Sequence, residues 1–421
     1  MTSIPHKIGF RVVARDNKTR ARAGILETPH GAVETPAYVV VGTHGKVRTL
    51  ESADITASKT RLIIANAYHL WQALGEEGLA AYHGLHAAMG WNGPLMTDSG
   101  GFQVFSMGAA REHDTGKIAA KPKTKSTTKS ASQHSHILEN VGMLHSGGAA
   151  EKGIVKITEH GVVFTENGVR HWLDAEKSIR IQRQLGADII FAFDEPSSPH
   201  HNHAYTREAM ERTHHWAVRS LKARTSDQML YGIVQGGPYE DLRKQSAQFI
   251  GAMPFDGFAI GGSYGNSFGD TREQTLREVD LAVPYLPEEK PRHLLGIGLI
   301  EDLFACIAAG MDTFDCVVPT REARHGSLWV GRGRRIDIKR GVYRDDKSIL
   351  DEECACVVCA DMKTERGALH AMFREKNPEA GRLATLHNIS FFNLLMSRIR
   401  TAVKDGRFEI LCAEYRGNHA V

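Results

Sequence analysis

Nowhere in the 421 residues does an apolar run reach the roughly 20 residues that a membrane-spanning helix needs. Nor does the start, Met1 to Phe10, carry an apolar signal region, so the sequence reads as a soluble, cytoplasmic protein with no membrane partner. Cysteine is scarce: there are six, and three of them fall between Asp351 and Asp361. That uneven use excludes a disulfide framework and suits metal binding in a reducing compartment. An excess of one charge is also missing. A formal net charge of +3 is too small for bulk charge alone to announce a nucleic-acid partner.

What is present begins with those cysteines. Cys354, Cys356 and Cys359, with His387 downstream, supply three thiolates and an imidazole. Such a set fills a tetrahedral shell and leaves no place for a reacting water, which implies structural zinc. His370 competes for the fourth position. Cys306 and Cys316 lie in apolar runs and read as core residues. Charge is concentrated from Arg321 to Arg344, where Arg321, Arg324, Arg332, Arg334, Arg335, Lys339, Arg340 and Arg344 outnumber Glu322 and Asp337, with Trp329 and Tyr343 interleaved. This is a local basic surface.

Eight short apolar runs recur along the chain: Ala37 to Gly42, Leu62 to Asn66, Pro94 to Asp98, Asp188 to Asp194, Leu230 to Gln235, Gly257 to Gly262, His293 to Gly298 and Thr313 to Pro319. Helical patterns separate them, such as Asp174 to Leu185 behind its capping aspartate. Eight βα units predict an α/β fold, a (β/α)8 TIM barrel, with functional groups at the C-terminal ends of its strands. Asn66, Asp98, Asp194, Gln235, Gly262 and Asp315 would then share one mouth. Before the first run, the turn Thr28-Pro-His-Gly-Ala32 predicts a small N-terminal antiparallel sheet capping the barrel's bottom or side.

The interval between the third and fourth runs is anomalous. Its centre, Ala109 to Lys152, is rich in Lys, Ser, Thr, Ala and Gly and poor in large apolar groups, which predicts an exposed insertion that buries too little to order itself. We therefore read 1–421 as one catalytic barrel domain carrying a low-complexity basic insertion at 109–152 and an inserted zinc-binding subdomain at 345–400.

Two strings are far more specific than composition: Met96-Thr97-Asp98-Ser99-Gly100-Gly101-Phe102-Gln103 and Phe314-Asp315-Cys316-Val317-Val318-Pro319-Thr320-Arg321. At these residues the chain resembles the tRNA-guanine transglycosylases. The likeness extends through Ala65-Asn66-Ala67-Tyr68-His69-Leu70, Phe191-Ala192-Phe193-Asp194-Glu195, Gly232-Ile233-Val234-Gln235-Gly236 and the cysteine cluster. It implies replacement of guanine in a GUN anticodon of tRNA by a 7-deazaguanine base, through a covalent enzyme–RNA intermediate. Asp315 would be the nucleophile and Asp98 the proton-transfer group. Phe102 would stack on the base, while Asp194, Gln235 and Gly262 read its edge. Arg321 and Arg324 would contact the anticodon loop. The context Leu386-His387-Asn388-Ile389 favours His387 over His370 as fourth ligand, just before an amphipathic helix beginning at Asn388. The resemblance also implies a homodimer.

Exchange of one base for another at the same ribose carbon, without a net backbone cut, favours double displacement by a carboxylate. The chain departs from many bacterial relatives at Ser263-Tyr264-Gly265-Asn266-Ser267 and at Pro196. Glycine at 265 opens the pocket, leaving preQ1 and queuine both as candidate incoming bases. A role deep in the tRNA body is set aside, because the chain leaves no room for an appended RNA-binding domain after the helix ending near Asp405. Two rivals make different demands. A barrel metallohydrolase needs a His-X-His pair on an early strand, which is missing; a non-catalytic tRNA-binding subunit would have no need of Asp98 and Asp315.

Overall fold

The structure is a computed structural model that describes residues 8–105, 155–166, 168–198, 201–262 and 272–416. The insertion at 109–152 and the string Ser263 to Ser267 lie outside the described residues. Among the described residues no helix is long and apolar enough to cross a membrane.

The chain opens with a three-stranded antiparallel sheet, β1 (Gly9–Arg15), β2 (Arg22–Thr28) and β3 (Gly31–Thr35). Eight parallel strands then close into a barrel. In chain order these are β4 (Ala37–Val41), β5 (Ile63–Ala65), β6 (Leu95–Thr97), β10 (Ile189–Phe191), β11 (Met229–Val234), β12 (Gly257–Ile260), β13 (Arg292–Leu294) and β14 (Thr313–Asp315), with β14 pairing back on β4. All eight predicted runs become strands. The period of two is plain: Val39, Ile64, Met96, Ile189 and Phe191 fill the barrel, while Val40, Ile63, Leu95 and Ile190 pack outward among the helices.

The N-terminal sheet closes the barrel's floor. Leu26 and Val33 belong to the same buried cluster as the barrel interior. Two polar pins fix the sheet there. Arg22, fully buried, donates to both oxygens of Asp312 at 2.9 and 2.6 Å, just before β14. His30, in the β2–β3 turn, bonds Asp188 at 2.6 Å, just before β10. His86 stacks on His30 with ring centroids 3.6 Å apart and faces the same carboxylate. This trio fastens the hairpin to the barrel.

Three local readings are corrected. Between β6 and β10 the chain makes a second antiparallel sheet, β7 (Lys156–Thr158), β8 (Gly161–Glu166) and β9 (Val169–Leu173), not expected from the sequence. The run Thr313 to Pro319 is strand only as far as Asp315, because Pro319 sits in the first turn of a helix over Val318–Arg324. The helix expected from Asn388 starts ten residues earlier and spans Pro378–Lys404, with Asn377 accepting from the Glu379 N–H at its cap. It is buried around most of its circumference between the barrel, the N-terminal sheet and the metal-binding region, which blurs its apolar stripe. That helix covers β4, completing the barrel. The cysteine-bearing segment and the hairpin β15 (Ser327–Val330) and β16 (Arg334–Asp337) are thus inserted between the eighth strand and its helix.

Candidate active site

Asp98 follows β6 directly and meets the first turn of the helix Ala67–Ala80. The Ala67 backbone N–H donates to Oδ1 at 2.8 Å; the amides of Asn66 and Gln103 donate to Oδ2 at 2.6 and 3.1 Å. Asn66 is oriented because its own oxygen caps that helix, accepting from His69 N–H at 2.8 Å. Solvent reaches part of this carboxylate, yet burial, reinforced by the charge of Asp315, pushes its pKa up to about 7 against the N–H donors that pull the other way. A carboxyl poised there can both give and take a proton near neutrality.

Asp315 ends β14 and faces the same mouth, with 18% of its side chain exposed. Its Oδ1 accepts from the Gly296 backbone N–H at 3.2 Å and lies 3.1 Å from His293 Nε2. The Tyr38 hydroxyl donates to the carbonyl of the next residue, Cys316, and fixes the chain beyond the carboxylate.

Beside them lies a polar recess. Asp194, three residues past β10, accepts from the Ser99 hydroxyl at 3.0 Å and from Gln235 Nε2 at 2.8 Å. Burial, with the Glu195 charge adding to it, pushes its pKa up to about 6. The Gln235 Oε1 is buried and has no partner among the described residues. Asp194 and Gln235 thus bond each other across the recess, with Oε1 left over. Gly262 is half-buried at the recess, but the glycine that the packing demands is Gly261: a Cβ there would stand 2.4 Å from Gln235 Nε2. A Cβ on Gly101 would likewise stand 2.7 Å from the Asp194 carbonyl. Phe102, in the helical turn 101–105, is left 46% exposed.

Arg243 escaped the sequence reading. It is fully buried, donates to the carbonyls of Val234, Gly237 and Gly261 at 3.2, 2.9 and 2.6 Å, and pairs with Glu278 at 2.8 Å. It thus ties together the two strand ends that carry Gln235 and Gly262. An arginine in an amphipathic helix gives no sequence signal for such a role.

Arg321 and Arg324 sit on the short helix after Asp315, and neither has a carboxylate partner among the described residues. Arg324 is half-buried beside Arg321 and Arg48; burial and those two charges push its pKa down to about 10. Cations gathered without counter-charges make a ready anion site. Arg48, from a distant loop, had no motif to reveal it. The rest of the basic stretch is partly spent internally. Arg335 pairs with Glu322 at 2.5 Å and lies over the Trp329 ring, and that ring is buried, so it offers no stacking face to RNA.

The metal cluster is assembled as read. Cys354, Cys356, Cys359 and His387 are all buried with their ligand atoms within 4.8 Å of one another. His387 Nδ1 lies 3.6 and 3.4 Å from the Cys356 and Cys359 sulfurs. Tetrahedral bonds of ordinary Zn–S and Zn–N length put S and N about 3.6 Å apart, so the residues fit such an ion without rearrangement. The other ring nitrogen bonds the Trp329 carbonyl at 2.7 Å, which turns Nδ1 toward the thiolates. His370 is elsewhere, bonded to the Ile338 carbonyl at 2.8 Å. Four protein ligands leave no open position, so the cluster fits a structural metal site. The next residue, Asn388, donates to the carbonyls of Pro319 and Ser327 at 3.0 and 3.1 Å, joining the metal site to the helix behind Asp315.

A parallel barrel whose mouth sets a carboxyl of raised pKa against a second carboxylate has the arrangement of an enzyme that works with two acidic groups, as in group transfer at a sugar carbon. The family model described as queuine tRNA-ribosyltransferase matches residues 16–135 and 114–421. Curated relatives bearing that name include a protein of Roseiflexus sp., 38% identical over 97% of this chain and 99% of its own. One of Solidesulfovibrio magneticus is 39% identical over 94% of each chain. One of Thermoanaerobacter pseudethanolicus is 38% identical over 95% of this chain and 94% of its own. The chain belongs to the queuine tRNA-ribosyltransferase family, the tRNA-guanine transglycosylases.

Proposed function

We propose that this protein exchanges guanine at the wobble position of a GUN anticodon for a 7-deazaguanine, preQ1 or queuine, through a covalent enzyme–RNA intermediate. The observation that carries the reading is the facing of Asp98 and Asp315 across one barrel mouth, close enough that the charge of one raises the pKa of the other. Asp315 attacks the ribose C1′ and holds the RNA while the bases trade places; two inversions leave the sugar's configuration unchanged. Asp98 moves the proton that the departing and arriving bases gain and lose. Asp194 accepts from the ring N–H and exocyclic amine of the base, Gln235 swings from Asp194 to donate to its carbonyl, Gly262 approaches with its backbone N–H, and Phe102 covers the ring.

Zinc is the metal we assign to Cys354, Cys356, Cys359 and His387, on the softness of three thiolates and the tetrahedral spacing. It holds the cysteine-bearing segment to the barrel's helix Pro378–Lys404 and, through Asn388, steadies the helix that presents Arg321 and Arg324 to the anticodon loop. Exposed Val342 and Met362, at 70 and 51%, supply apolar surface flanking that subdomain's cysteines, which favours pairing of two copies there. Unpaired cysteines suit work in the cytoplasm.

The test is release of labelled guanine from an unmodified GUN tRNA when preQ1 or queuine is supplied. Release by either supports the exchange and names the base; release by neither returns the chain to a non-catalytic subunit. Two further outcomes are expected. Arg324→Ala should weaken tRNA binding and flatten the slope of log affinity against log salt by about one, measured by filter binding across salt concentrations. Base capture should also depend on pH, because Asp194 accepts two N–H groups only when ionised. Its pKa stands near 6 instead of its ordinary 3.8. The KM for the free base should therefore be flat above pH 7 and climb by up to about tenfold per unit below pH 6.

A further inference from the structure

The carboxylate assigned as nucleophile is held by a residue that no motif marked. His293 lies in β13, fully buried, its ring 5.4 Å from that of Phe191 inside the barrel. Its Nε2 is 3.1 Å from Asp315 Oδ1, the oxygen that also accepts from Gly296 N–H. A carboxylate can only accept, so Nε2 carries the hydrogen. Nδ1 of the neutral ring is then an acceptor, and the Thr313 hydroxyl stands 2.9 Å from it. The carboxylate thus sets the ring's tautomer, and the Thr313 hydroxyl, donating to Nδ1, holds the ring in place. Both donors fall on one oxygen. The other, Oδ2, takes no hydrogen bond among the described residues.

We propose that His293 is a positioning residue which, with Gly296 N–H, ties down Oδ1 and so assigns the attack to Oδ2. The inference rests on the nucleophilic role proposed for Asp315. In the first displacement Oδ2 gives an electron pair to C1′ while the C1′–N9 bond breaks; that pair leaves with guanine, whose nitrogen takes a proton from the Asp98 carboxyl. In the second, the incoming base loses its N9 proton to the Asp98 carboxylate and bonds to C1′, and the C1′–Oδ2 pair returns to Asp315. Charge reappears on Oδ1 as that bond breaks, so the His293 and Gly296 donors strengthen in the second transition state. Loss of His293 therefore slows breakdown of the covalent adduct more than its formation.

The experiment compares His293→Phe with His293→Gln, which keeps an N–H donor. It measures exchange kcat, the KM for tRNA and the share of enzyme recovered as RNA adduct after denaturation. His293→Phe should lower kcat about 10- to 100-fold with the tRNA KM within about twofold, and the adduct share should rise; His293→Gln should recover most of kcat. Full activity in a folded His293→Phe, or a lower kcat without a larger adduct share, overturns the proposal. Should the Phe variant not fold, Thr313→Val removes only the hydroxyl that holds the His293 ring in place. The same rise in adduct share is then expected, and an unchanged share overturns it. Failure of the underlying reading looks different: the unmodified protein would form no adduct, or Asp315→Asn would remain active.

Discussion

Asp315→Ala should abolish base exchange, lowering it by at least about a thousandfold, and no RNA adduct should survive denaturation. The reason is chemical. With the carboxylate gone, C1′ has no group to hold it once guanine departs, and neither the pKa of Asp98 nor the base recess can substitute for a missing bond. Affinity for tRNA should stay within a few-fold, since the cations proposed to meet the anticodon loop are Arg321 and Arg324 on the following helix and the side chain removed carries negative charge. Stability should also be nearly unchanged, because Asp315 is partly exposed and accepts only two hydrogen bonds. Folding, RNA affinity and exchange can thus be read separately in one variant. Turnover that persisted would take the nucleophile's role from Asp315.

Cys356→Ser should remove the metal and much of the folding stability together. The Cys356 sulfur lies 3.6 Å from His387 Nδ1 in the buried cluster, and a serine hydroxyl at neutral pH does not replace the third thiolate. Structural zinc contributes its binding energy directly to folding, on the order of 10 kcal/mol in small domains, so metal content should fall from about one ion per chain to near zero with a drop in melting temperature of roughly 10 °C or more. Damage should spread to the RNA-facing side as well. His387 and Asn388 are neighbours on one helix, and Asn388 holds the Pro319 carbonyl in the helix that bears Arg321 and Arg324. A well-folded, active, metal-free variant, assayed by elemental analysis and calorimetry, would end the structural-site assignment.

The barrel was legible because its eight strands are short apolar runs closed by polar residues, and the strand ends Asp98, Gln235 and Asp315 were legible because they stand in unusual local strings. The second sheet, β7 to β9, was hidden by the low-complexity sequence before it. The true start of the helix Pro378–Lys404 was marked by Asn377-Pro378, a cap followed by a first-turn proline, but attention went to the motif around His387. What no single-sequence pattern could give are the contacts made across the fold. Arg243 reaching three carbonyls, Arg48 joining Arg321 and Arg324, and His293 meeting Asp315 each bring together residues of different elements whose types are unremarkable where they stand. Asp194 and Gln235 stand out one by one as strand-end polar residues, while their bond to each other required the structure.

The N-terminal sheet sealing the floor with Leu26, Val33 and the buried Arg22–Asp312 pair has a bearing on how freely this enzyme can be redesigned. Cohesion is concentrated at one end of the barrel and reactivity at the other, so the mouth carries half-satisfied polar groups and recessed carboxylates without being what keeps the strands closed. Libraries randomised around Pro196 and Phe102 should consequently yield mostly soluble members in a search for acceptance of new bases, whereas equal diversity at Leu26, Val33 or Arg22 should mostly yield aggregates.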